Sequence, residues 1–146
     1  MQSDRRLPGW PERLARCIEA ARRRRFQWGE HDCCLWTATV VQILTGCDIG
    51  KSFRGTYGTS EEASERIRRD GVEGVGALLS SLASQWGFPE IAPPLAQRGD
   101  VVLCDTAGRA GWPVSCGVCV GSVVLSTGRD GLMALPLSSG LRAWSI

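Results

Sequence analysis

Residues 26–46, FQWGEHDCCLWTATVVQILTG, constrain the chain more than any other stretch, because they read as one buried helix with both ends marked. Asp32 is a good N-cap, since its carboxylate can accept the free amide hydrogens of the next turn. Apolar residues then recur at helical spacing, Cys33, Trp36, Val40, Ile43 and Leu44, and Thr45-Gly46 stops the helix. Cys33 is thereby the first residue of a buried helix, where unpaired amide hydrogens and the positive end of the helix dipole favour a thiolate over a thiol. A nucleophilic cysteine would be placed in such a position. Cys33 and Cys34 read equally as small apolar fillers beside a capping aspartate, since free cysteine is among the most buried residue types.

The 146 residues fit a single domain, 1–146, with one core. The formal net charge of +2 is too small to indicate nucleic-acid binding. The arginine run at 22–25 has no aromatic interleaved and reads as a solvated helix end. Seven cysteines in a short chain suggest a disulfide scaffold, but the number is odd, apolar content is ample, and the N-terminal MQSDRRLPGW lacks the apolar core of a signal peptide. The thiols are expected to be reduced when the chain folds. No apolar run approaches the roughly 18 residues of a spanning helix, so the expectation is a soluble protein, or one held by protein partners, without a membrane anchor.

In chain order, Pro11 suits the first position of a helix whose stripe is Leu14, Ala15, Ile18 and Ala21, with Cys17 upon it. A glycine-punctuated loop at 46–59 carries Phe53, Arg54, Gly55 and Tyr57, either for function or to cover the core. Thr59 or Ser60 with Glu61 and Glu62 opens a short, mostly exposed helix that Gly71 ends. Residues 75–86 give a further helical pattern, stopped by Gly87 and Pro89. After Pro93-Pro94 the helical period disappears, and β-rich runs follow at 100–105, 117–122, 123–126, 132–137 and 141–146. Residues 128–131 read as a hairpin connection and 138–140 as another, so consecutive runs are expected to pair antiparallel. Helices first and strands second predict an α+β domain, with N-terminal helices packed on one face of a C-terminal antiparallel β-sheet.

The Asp-Cys pair opening a buried helix, QRGDVV at 97–102 opening the first strand and GVCVG at 117–121 on the next resemble the NlpC-type cell-wall peptidases, a branch of the papain-like cysteine peptidases. WGEHDCCLW, RGTY, AQRGDVV, GVCVG and GLRAWSI resemble, over about residues 28–144, a family of small bacteriophage and prophage proteins encoded among tail genes. The first resemblance implies an NlpC/papain-like fold. In those peptidases the helix-start cysteine is the nucleophile, a histidine at the beginning of the second strand is its base, and a polar residue on the following strand orients that histidine.

Carried over by position, Cys33 matches the nucleophile. The base position falls at Ser115, or at Cys116, and neither replaces an imidazole, because a serine hydroxyl does not accept a proton near neutral pH. The orienting position falls near residues 132–134, where nothing is polar. The one histidine, His31, lies two residues before Cys33 and is the remaining candidate base; a residue there usually points away from the helix start. The sequence thus reads as a peptidase fold that has lost its chemistry. Cys116 and Cys119 have the spacing of a metal knuckle, with His31, Cys33, Cys34, Cys47 and Cys104 as further donors, but on a buried strand residues three apart point to opposite faces. No metal and no other cofactor is therefore expected.

Two functional classes follow. In one, the domain is a structural or adaptor component of a bacteriophage tail, at the distal tip or baseplate. It would assemble in the bacterial host cytoplasm, stay in the virion tail and contact hub or distal tail proteins, with a homo-oligomeric ring as one arrangement. Six tryptophans, among them Trp10, Trp28, Trp112 and Trp144 near segment ends, suit such contacts and suit ordinary core packing equally. In the other, it is a cysteine peptidase or amidase cutting host peptidoglycan peptides during genome delivery, with Cys33 as nucleophile and His31 or a partner's residue as base.

Overall fold

A computed structural model describes residues 5–71, 73–108 and 112–146. Residues 1–4 of the N-terminal stretch read above lie outside the described residues. Four helices come first: α1 Trp10–Ala21, α2 Cys33–Thr45, α3 Ser60–Arg69 and α4 Gly74–Trp86. Six strands follow, β1 Glu90–Ile91, β2 Val101–Asp105, β3 Val114–Cys119, β4 Val123–Gly128, β5 Gly131–Pro136 and β6 Gly140–Trp144, with short 3-10 turns at Pro93–Leu95 and Leu137–Ser139. Every pairing is antiparallel, in the order β1-β6-β2-β3-β4-β5.

The helix boundaries follow from the end signals. α2 begins where the Asp32 carboxylate accepts the Leu35 N–H at 2.9 Å, and it ends at Gly46, whose φ of +82° glycine adopts without steric cost. α3 is capped by Thr59, whose hydroxyl accepts the Glu62 N–H at 3.1 Å while Glu62 in turn accepts the Gly58 N–H at 3.1 Å. Only Ala63 and Ile67 of that helix are buried, in keeping with its polar sequence.

Alternation along the strands divides the interior. Val101, Leu103, Cys116, Val118 and Trp144 face the helices in one apolar cluster, while Val102, Cys104, Cys119, Val124, Leu135 and Ala143 form a second cluster on the opposite face. Partly buried Ile91 of β1, Ala96 just after the first 3-10 turn and Leu137 of the second pack against that second cluster. The domain is therefore α+β, with helices on one face of an antiparallel sheet. α2, apolar nearly all round, lies against β3 and β4 and is flanked by α1.

Three expectations change. The 128–131 hairpin forms, with Gly128 paired to Gly131, but 138–140 is no hairpin: β6 crosses the sheet and inserts between β1 and β2. The 3-10 turn at Leu137–Ser139 redirects the chain there, and local turn chemistry does not say which strand the next segment will join. β3 starts at Val114, three residues before the apolar run suggested, because Val114 and Ser115 pair with Asp105 and Cys104. β1 is only two residues long, too short to show a period.

Candidate functional site

The site begins with the cap of α2. Asp32 is 1% exposed, and its carboxylate accepts three hydrogen bonds: Leu35 N–H at 2.9 Å, Gly29 N–H at 3.0 Å and the Tyr57 hydroxyl at 2.6 Å. Burial raises the Asp32 pKa, and the Tyr57, Leu35 and Gly29 bonds counter it. Tyr57 comes from the 46–59 loop, which is tied down by the Gly55 N–H donating to the Gly29 carbonyl at 2.9 Å. Gly29 has φ +80°, and a Cβ there would stand 1.9 Å from the Tyr57 carbonyl oxygen, so only glycine lets the loop close on the cap.

The cap directs the first turn of α2 at β3, and three sulfurs meet there. Cys34 Sγ lies 4.0 Å from Cys33 Sγ and 3.7 Å from Cys116 Sγ, and all three sulfurs fall within 4.8 Å of one another. Cys33 is 8% exposed and Cys116 is sealed from solvent. Hydrogen bonds from the Cys116 thiol, then from the Cys34 thiol, hold the Cys33 pKa well below the usual thiol range, against the opposing effect of burial. The same contacts leave Cys34 and Cys116 well above it. These contacts favour a thiolate at the helix-start Cys33.

Among the described residues no imidazole accompanies it. Ser115, at the base position, is 2% exposed and shares a 2.7 Å hydrogen bond with Ser126, whose hydroxyl also bonds the Cys116 carbonyl at 2.7 Å. A carbonyl only accepts, so the single Ser126 proton goes to it and Ser115 must donate to Ser126. The Ser115 proton is committed, and its oxygen has lone pairs but no basicity near neutral pH. The polar partner on the following strand is Ser126 of β4, not a residue at 132–134, which belongs to β5 one strand further on.

His31 is buried by a tight turn in which its N–H donates to the Gln27 carbonyl at 2.8 Å and its carbonyl accepts the Gln27 N–H at 3.0 Å. Among the described residues its Nε2 has no hydrogen-bond partner, and neither a bond nor a charge contact joins it to Cys33. Burial, and secondarily Arg24, lower its pKa, which favours the neutral imidazole. Cys116 and Cys119 belong to opposite faces of the sheet, as alternation requires: Cys119 Sγ turns to the carbonyls of Gly121 at 3.3 Å and Ala96 at 3.7 Å. The knuckle therefore does not form, whereas Cys33, Cys34 and Cys116 do converge.

An apolar cavity of about 40 Å³ lies beside the thiols, bounded on one side by Trp28, Tyr57 and Trp112. Trp28 and Trp112 sit 5.0 Å apart, and Phe26 packs edge-on to Trp28 at 4.7 Å. Sequence reasoning missed Ser126, a polar residue at the end of an apolar run whose signal was only its place on the strand after Ser115, and it gave Tyr57 no partner although RGTY stood out.

Gly117 fixes the approach of β3 to β4, since a Cβ there would stand 2.1 Å from the Leu125 carbonyl oxygen. The family model described as a domain of unknown function, DUF6950, matches residues 5–146. No curated protein and no solved structure matches the chain.

Proposed function

The chain belongs to the DUF6950 family, and we propose for it a structural function: an adaptor component of a bacteriophage tail, at the distal tip or baseplate, built on an NlpC-like peptidase fold that no longer hydrolyses peptides. The observation that carries the loss of chemistry is the environment of Cys33. Its neighbours are two thiols, Ser115, whose proton is already committed, and the Asp32 carboxylate, which is engaged by Gly29, Leu35 and Tyr57, and not an imidazole. Amide hydrolysis needs a group that takes the thiol proton and returns it to the leaving amine, and a set of groups without a free base near neutral pH does not supply that step.

The tail assignment rests on the sequence resemblance and on the surface. Trp86, Leu95 and Leu141 are large apolar side chains left exposed, suited to contacts with hub or distal tail proteins or with further copies in a ring. Among the described residues no helix is long and apolar enough to cross a membrane. The alternative, a peptidase or amidase acting on peptidoglycan during genome delivery, draws on one observation, the lowered Cys33 pKa at a helix start. Incubation of the purified protein with peptidoglycan fragments separates the two readings. The structural reading expects no cleavage above buffer, and hydrolysis that vanishes in Cys33→Ala would restore the enzyme.

A further inference from the structure

The three sulfurs have a geometry that neither catalysis nor its loss requires. Three thiolates bound to one ion at about 2.3 Å stand about 3.8 Å apart around a tetrahedral metal and about 4.0 Å apart around a planar one. The Cys34–Cys116 and Cys33–Cys34 separations of 3.7 and 4.0 Å already have these values, and the third lies within 4.8 Å. All three cysteines are free thiols in the structure.

We propose that Cys33, Cys34 and Cys116 form a buried site for one thiophilic closed-shell metal ion, Zn²⁺ or Cu⁺. Soft thiolate donors select both ions. Each thiol that binds loses its proton to solvent as its sulfur–metal bond forms, and no electron is transferred. Three thiolates leave a net charge of −1 with Zn²⁺ or −2 with Cu⁺. The amides of Cys33 and Cys34, in the first turn of α2 where no intrahelical acceptor exists, and the positive end of the helix dipole offset that charge. Cu⁺ is satisfied by three sulfurs. Zn²⁺ takes a fourth donor, for which the cavity of about 40 Å³ beside Cys33 and Cys34 offers space. Two ligands come from α2 and one from β3, so the ion would fasten helix to sheet at the place where a peptidase keeps its nucleophile and base. The inference depends on the sulfur geometry alone and stands whether or not the protein belongs to a tail.

The test uses the full chain, stripped of metal and reduced, under nitrogen. One arm titrates Co²⁺, follows thiolate-to-metal charge-transfer absorption and displaces it with Zn²⁺; the other titrates Cu⁺ against a chromogenic competing chelator. The expected result is one equivalent bound in at least one arm, weakened by roughly a hundredfold or more in Cys34→Ser and in Cys116→Ser and unchanged in Cys119→Ser. X-ray absorption of the loaded wild-type protein gives a reading that does not depend on the variants folding, with three sulfur neighbours at about 2.3 Å expected. No retained ion in either arm, affinity unchanged in a folded Cys116→Ser, a first shell of nitrogen and oxygen, or a Cys34–Cys116 disulfide in protein isolated under nitrogen would each overturn the proposal.

Discussion

The Tyr57 hydroxyl donates a 2.6 Å hydrogen bond to Asp32 Oδ2, locking the loop after α2 onto the carboxylate that starts that helix. Tyr57→Phe removes this bond and keeps the ring, so the expected loss is about 1.5–3 kcal/mol, the usual range for a hydrogen bond to a charged group. Asp32→Ala should cost more, because the Gly29 and Leu35 amides lose their acceptor as well. Urea unfolding measures both. A Tyr57→Phe protein as stable as the wild type would show that the loop is held by packing and by its backbone bond from Gly55 to Gly29.

Asp100 and Arg6 make a second closure, between the two ends of the described chain. Their side chains are 0% and 3% exposed and 3.0 Å apart. Asp100 also accepts the Ile146 N–H at 3.1 Å, and Arg6 donates to the Ile146 carbonyl at 2.9 Å. Asp100→Ala leaves a guanidinium buried without its counter-charge, with an expected cost of about 3–5 kcal/mol. Replacing both partners by apolar residues, Arg6→Met with Asp100→Leu, should recover part of that loss. A double variant no more stable than Asp100→Ala in thermal unfolding would place the energy in the backbone contacts and not in the ion pair.

The ends of α2 were legible in the sequence because each is a local event, a carboxylate three residues from the amide it caps and a glycine at positive φ. The 128–131 hairpin was legible for the same reason. What the sequence hid was long-range. Nothing near residue 140 says that β6 will lie beside β2, and nothing near Cys34 says that Cys116, 82 residues away, will come within 3.7 Å of it. The sequence segments QRGD, GLRAWSI and RGTY find physical reasons only in three dimensions. The aspartate of QRGD holds the last residue of the closing GLRAWSI segment, and the tyrosine of RGTY holds the aspartate of the helix cap.

His31 gives a pH dependence whose sign follows from its burial. Its folded pKa lies below the ordinary imidazole value of about 6.5, so between the two values the unfolded chain binds more protons than the folded one. The His31 contribution is thus present above about 6.5 and is lost as pH falls through the folded pKa, with a limiting slope of about 1.4 kcal/mol per pH unit. His31→Gln, neutral throughout, should flatten the fall in stability between pH 7 and pH 5. Parallel stability curves for variant and wild type would mean that the imidazole titrates as it does in the unfolded chain.

Infectivity separates a structural part from an enzyme. If the folded surface is what the tail requires, deleting the gene should give defective or non-infectious particles, whereas Cys33→Ala should largely preserve infectivity. Truncating residues 142–146 should resemble the deletion for a reason the sheet makes explicit. β6 lies between β1 and β2, so its loss leaves β1 unpaired, opens one edge of β2 and removes Trp144, which is 2% exposed. Loss of a buried aromatic alone costs about 3–5 kcal/mol, a large part of the 5–15 kcal/mol that holds a typical domain folded. The measurement is a complementation assay counting infectious particles, with electron microscopy of the tails. Tails of normal appearance in the deletion strain, with infectivity lost equally in the deletion and in Cys33→Ala, would contradict the structural role and favour chemistry at Cys33.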